Sequence, residues 1–167
     1  LELEVERENL SPVRQALDLI RNYRKKGKRI LFISDMYLPS DFLKSQLRRF
    51  GFWEEEDRIY VSGEIGLTKH SGNLFRYIQR EERILRCSWI HVGDNTYSDY
   101  YVPKSMFIRS RRIYHPYTSF ENLWQNDMWS PYKKFLPSYL SGLARAYRLS
   151  LPASDRLAFF VDVLLVP

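Results

Sequence analysis

Cysteine is nearly absent: the 167-residue sequence holds one, Cys87. A single thiol excludes a disulfide framework and a multi-cysteine zinc site, and it fits a reducing compartment, so a cytoplasmic location is the expectation. Histidine is scarce as well, at three residues. His70 and His115 have no partner at metal-ligand spacing, and His91 lies inside an apolar run where packing or a hydrogen bond is the ordinary role. No charged leader with an apolar core opens the chain, and the longest late apolar run, Leu157 to Val166, is interrupted by Asp162 and reaches about half a membrane span. No membrane span is expected, and no internal repeat or low-complexity tract is visible. The sequence starts with Leu rather than Met and stops inside that apolar run, the pattern expected of an excised piece.

What is present is a core-forming composition, 44% hydrophobic and 16% aromatic, sufficient for one packed domain. Lys and Arg outnumber Asp and Glu by 26 to 20, for a net charge of +6. That balance suits an anionic ligand. The basic residues are scattered, however, with Arg24 to Arg29 and Arg48 to Arg49 closing helical patterns, where the helix dipole favours cations. No nucleic-acid partner is expected.

The segments alternate in period. Leu1, Leu3 and Val5 alternate within an acidic lead, which suits either a frayed strand or the end of a helix. Ser11-Pro12 followed by Val13, Ala16, Leu17 and Ile20 predicts a helix over Pro12 to Lys26, stopped by Gly27. Ile30 to Ile33 is an unalternated apolar run, the pattern of a strand covered on both faces, and it ends in Ser34-Asp35. Ser40 is placed to cap a second helix with Leu43, Leu47 and Phe50 on one face. Arg58 to Ser62 predicts a second strand, Gly63 to Thr68 a loop, and Leu74, Phe75 and Ile78 the face of a third helix. Trp89 to Val92 predicts a third strand and Met106 to Ile108 a fourth. Cys87, between helix and strand, is expected to be partly buried. Strands alternating with helices predict a parallel α/β sheet with right-handed crossovers. Beyond about Arg112 the sequence turns to aromatics and prolines with helical spacing only, so residues 1–112 are read as an α/β domain and 113–167 as a helical appendage packed on it or the start of a following region. The aromatics there are assigned to packing rather than to stacking on bases or sugars.

Three polar clusters fall just beyond three strands: Ser34-Asp35, Lys69, and Asp94 with Asp99. In open parallel sheets, ligands bind at that carboxyl edge. A hydroxyl, an ammonium and paired carboxylates suit a phosphoryl group with a divalent cation, since magnesium takes only one or two protein carboxylates and completes its shell with water and phosphate oxygens. Singly, each residue type is more often a solvated or capping group.

In this order and spacing the clusters resemble the haloacid dehalogenase (HAD) superfamily over about Pro12 to Arg109. His91-Val92-Gly93-Asp94-Asn95-Thr96-Tyr97-Ser98-Asp99 is similar to that family's fourth motif, Gly-Asp followed after four residues by Asp. Thr68-Lys69-His70-Ser71-Gly72-Asn73-Leu74-Phe75 is similar to its third, in which a lysine precedes a helix. The wording around Ser34-Asp35-Met36-Tyr37-Leu38-Pro39 further resembles a bacterial subgroup associated with glycosyltransferases. The resemblance implies a Rossmann-like three-layer fold and a magnesium-dependent phosphohydrolase acting on a phosphorylated small molecule, sugar phosphates among them, with a glycosyltransferase or other domain of a larger protein as its partner.

The opening strand admits two alignments. In one, Asp35 is the first-motif nucleophile and Tyr37 stands where phosphatases have a second aspartate, as in dehalogenases proper. In the other, Ser34 is the second-motif hydroxyl. Spacing favours the second, because Asp35 to Lys69 has room for one helix and one strand, with none left for a separate second-motif strand. The sheet is then incomplete at its N-terminal side, the chain alone is expected to be inactive, and an apolar strand ending in Asp-x-Asp is expected upstream of Leu1. On this resemblance Ser34 holds the phosphoryl oxygen, with Asp35, Met36 and Tyr37 lining the substrate loop. Lys69 neutralises phosphate and nucleophile, Asp94 binds magnesium, and Asp99 orients or supplements the metal shell. The third possibility is a binding or scaffold module without turnover, attached to a larger cell-envelope polysaccharide biosynthesis protein. The resemblance also implies that Ile30 to Ser34 pairs directly with Trp89 to Val92, or leaves a gap that Leu1 to Val5 fills, with no later strand between them.

Overall fold

The structure, a computed structural model, describes residues 2–10 and 12–113. The helical patterns expected beyond Ile113 lie outside the described residues. Tyr23–Tyr114 form one compact unit, and Leu1–Asn22 fall in a second. The candidate residues all lie in the first of these.

The acidic lead is helical, α1 (Glu2–Asn9), so Glu2 to Val5 provide no strand. Helix α2 (Arg14–Lys25) follows, its first turn closed onto the carbonyl of Val13, and Gly27 at φ 66° carries the chain out of it. Strand β1 (Leu31–Ser34) pairs in parallel with β2 (Arg58–Val61), Leu31 opposite Arg58 and Ser34 opposite Val61. Helix α3 (Ser40–Arg49) makes the crossover. One-turn α4 (Ser62–Ile65) occupies part of the expected loop and stops at Gly66, in the left-handed region. Helix α5 (Asn73–Glu81) leads to β3 (Ile90–Gly93), which pairs in parallel with β4 (Arg109–Arg112). Between these strands lie a π-helical turn, Thr96–Tyr101, and α6 (Val102–Ser105).

The described chain is thus mixed α/β with parallel strand pairs, as the alternating periods predict. Among the described residues β1 and β3 do not pair, and the four strands form two separate ladders. Among the described residues no sheet holds a strand from after residue 40 between β1 and β3.

Helix α5 unites the ladders. Its Leu74, Phe75 and Ile78 are fully buried, and with Trp89, Val102, Met106 and Ile108 they form the core against which Leu31, Ile33 and Tyr60 of the first ladder also pack. The Phe75 ring meets Trp89 edge-on at 5.8 Å. Helical periodicity alone marks this face, because it is the apolar stripe that must leave water.

Four expectations are corrected. The fourth strand is Arg109–Arg112, not Met106 to Ile108: Met106 and Ile108 point into the core while Phe107, at φ 62° and 80% exposed, forms the turn between them. On α3 the buried pair is Phe42 and Gln46, one position earlier than the expected face. Ser40 caps nothing with its side chain; its backbone N–H donates instead to Glu64 Oε1 at 2.7 Å. Cys87 is exposed rather than partly buried. Each of these depends on which side the rest of the chain covers, which local spacing does not encode.

Three arginines are held by carboxylates of the fold. Arg24, in the last turn of α2, donates to Asp57 and to the carbonyl of Phe52. Arg29 and Arg58 both face Glu82, whose side chain is 2% exposed and accepts from the Tyr60 hydroxyl at 2.5 Å.

Candidate phosphate-handling edge

Ser34, the last residue of β1, is half-buried, and its Oγ accepts the backbone N–H of Met36 at 3.3 Å, turning the chain off the strand. The Met36 carbonyl accepts from Gly63 N at 3.2 Å and Ser62 Oγ at 3.4 Å. Gly63 is required there, since a Cβ would stand 2.9 Å from Tyr37 Cα. Helix α4 thereby clamps the loop after β1, while Met36 and Tyr37 present exposed side chains.

Asp35 is exposed, and its Oδ1 accepts the backbone N–H of Lys69 at 2.8 Å. Lys69 itself sits in a tight turn in which Gly72 N donates to the Lys69 carbonyl at 2.9 Å, and Thr68 and Ser71 hydrogen-bond one another. From that turn the Lys69 ammonium reaches Asp99 Oδ1 at 2.6 Å. The main chain of one residue therefore holds the loop after β1, and its side chain holds the loop after β3.

Asp99 is 2% exposed. Its Oδ1 also faces His91 Nε2 at 2.9 Å, and its Oδ2 accepts the Asn95 N–H at 3.1 Å. Burial by itself would raise the Asp99 pKa, but the hydrogen bonds from His91 and Lys69, with the Lys69 charge, hold the carboxyl well below the usual carboxylate range. A carboxylate only accepts, so His91 Nε2 is the donor. Asn95 caps the π-helical turn by accepting from the N–H groups of Tyr97 and Ser98, both at 2.9 Å. Gly93 admits the carboxylate: a Cβ there would lie 2.4 Å from Asp99 Cγ. Asp94, between Gly93 and Asn95, is exposed at the tip of β3.

Hydrogen bonds therefore join Asp35, Lys69 and Asp99, with Ser34 one residue from Asp35 and Asp94 in the same loop as Asp99. The two aspartates differ in kind. Among the described residues no group of three His, Cys, Asp or Glu is set to hold a metal ion. For magnesium, which needs only one or two carboxylates, exposed Asp94 fits as a ligand. Asp99 is buried, with Oδ1 accepting from Lys69 and His91 and Oδ2 from the Asn95 N–H, so its geometry holds the Lys69 ammonium as well as the loop after β3.

His91, Gly93 and Asn95 were not legible as site residues. The signal for His91 is a polar ring within a buried strand, which needs a partner; for Asn95 it is a capping residue one position ahead of a helical turn. No helix among the described residues is long and apolar enough to cross a membrane. Compared with protein-family models and with curated proteins, the sequence matches none.

Proposed function

We propose that the loops after β1, β2 and β3 form the phosphate- and magnesium-handling edge of a HAD-type phosphohydrolase acting on a phosphorylated small molecule, with the nucleophilic carboxylate supplied from outside this sequence. The observation that carries the reading is the double anchorage of Lys69, main chain to Asp35 and ammonium to Asp99. It brings three strand-end loops to one place. On this reading the Ser34 hydroxyl donates to a non-bridging phosphoryl oxygen, and the Lys69 ammonium offsets charge on phosphate and nucleophile as the bond to the leaving oxygen breaks. Asp99 holds that ammonium in position. Asp94 would hold magnesium, which when bound supplies Lewis-acid charge to the phosphoryl oxygens. The described residues include no second carboxylate in this cluster suited to nucleophilic attack except Asp35, whose Oδ1 already accepts from the Lys69 amide.

Magnesium-dependent phosphate release from an aryl phosphate tests this. Inactivity of this chain, with activity in a protein extended upstream of Leu1 that Asp94→Asn abolishes, is the expected result. Turnover by this chain alone, lost in Asp35→Asn, would assign the nucleophile to Asp35 and overturn the alignment that makes Ser34 the second-motif hydroxyl. Inactivity of both proteins would leave a binding or scaffold module.

A further inference from the structure

His70 and Tyr97 have no part in the phosphate chemistry above, yet their rings meet at 4.5 Å between centroids, tilted by 38°. Each neighbours a site residue: His70 follows Lys69, and Tyr97 lies between Asp94 and Asp99. Both are exposed, Tyr97 at 51%. Their backbones are held firmly, His70 within the turn closed by the Lys69 carbonyl and Gly72 N–H, Tyr97 by the Asn95 cap on its N–H and by Val102 N donating to its carbonyl. The contact between the two rings, on backbones held in place, limits the freedom of both side chains, so the pair presents solvent-open aromatic surface with less ordering left to lose on binding.

We propose that the His70–Tyr97 pair is the leaving-group subsite, selecting phosphate monoesters whose alcohol carries a ring with a flat face over those with an acyclic alcohol. This rests on the phosphate-handling reading of the same edge. Lys69 and Asp94 flank the pair in sequence, so a phosphoryl group held by them leaves its ester oxygen close to these two loops. Exposed Tyr37 and Met36 add apolar surface on the third. Stacking on aromatic faces is tolerant of the ring's identity, so the shared chemistry is the flat face, whether from a sugar or an arene.

The test is to titrate this chain, with magnesium present, with inorganic phosphate, glycerol 3-phosphate, glucose 6-phosphate and phenyl phosphate. The two ring esters are expected to bind roughly fivefold tighter than glycerol 3-phosphate, as ring stacking implies. Tyr97→Ala should bring that ratio to about one, and Tyr97→Phe should keep it. A preference for both esters supports stacking on any flat face, and a preference for either one alone supports the subsite for that ring. If phosphate and glycerol 3-phosphate bind but the ring esters bind no tighter, or if Tyr97→Ala retains the preference, the subsite is refuted while the phosphate-handling edge stands. If none of the four binds, the edge and the subsite both fall.

Discussion

Lys69 Nζ and Asp99 Oδ1 lie 2.6 Å apart with side chains 12% and 3% exposed. At that burial neither charge has full access to water, so each depends on the other. Removing one partner of a buried pair strands the other charge, a loss of about 3–5 kcal/mol. Lys69→Met should lower the stability of the chain by that order in urea unfolding. Asp99→Asn, which strands the ammonium instead, should do the same. Restoration of most of the stability in the double variant Lys69→Met, Asp99→Asn, whose amide oxygen can still accept a hydrogen bond, would show that the cost lies in the unpaired charge.

The pH dependence follows in sign from one carboxyl and one hydroxyl group. The Asp99 carboxyl is held below its ordinary value, so its contribution is fully present above about pH 4 and is lost as pH falls further. Tyr60 is displaced upward, from 10.0 to about 12, by burial first and then by the hydrogen bond to Glu82. Its contribution is complete below pH 10 and lost as pH rises toward 12. Thermal melts across pH should therefore fall away at both ends. Asp99→Asn should flatten the acid limb and Tyr60→Phe the alkaline one.

Gly93→Ala tests the seat of the buried carboxylate. The added Cβ would lie 2.4 Å from Asp99 Cγ, and Gly93 also belongs to the β3 ladder, so neither can shift freely. Overpacking of this kind costs about 1–3 kcal/mol. The Tm should drop, and the amide signals of Asn95 and Lys69, which contact Asp35 or Asp99, should move in NMR spectra. Unchanged signals would remove Gly93 from the site.

Two phenylalanines give opposite expectations. Phe75 is completely buried between the ladders, so Phe75→Ala should cost about 3–5 kcal/mol in chemical denaturation. Phe107 is 80% exposed at φ 62°, where a Cβ costs roughly 1–2 kcal/mol. Phe107→Gly relieves that strain while adding about 0.5–1 kcal/mol of unfolded-state freedom. It should leave stability unchanged or slightly raised.

The sequence by itself determined the alternation of helix and strand, the α5 face of Leu74, Phe75 and Ile78, the strand-end positions of Ser34 and Asp94, and the turn at Gly27. These follow from spacing, apolar runs and backbone freedom, all carried by neighbours in the chain. It did not show which of Asp94 and Asp99 is buried, since both are aspartates in one loop. Only the tertiary structure did so, by burying Asp99 between Lys69 from a distant loop and His91 from β3 while leaving Asp94 in water. The same long-range covering moved the fourth strand to Arg109–Arg112 and rotated α3 onto Phe42 and Gln46. Burial and pairing are properties of what folds over a residue, and for Lys69 and Asp99 that partner lies 30 positions away.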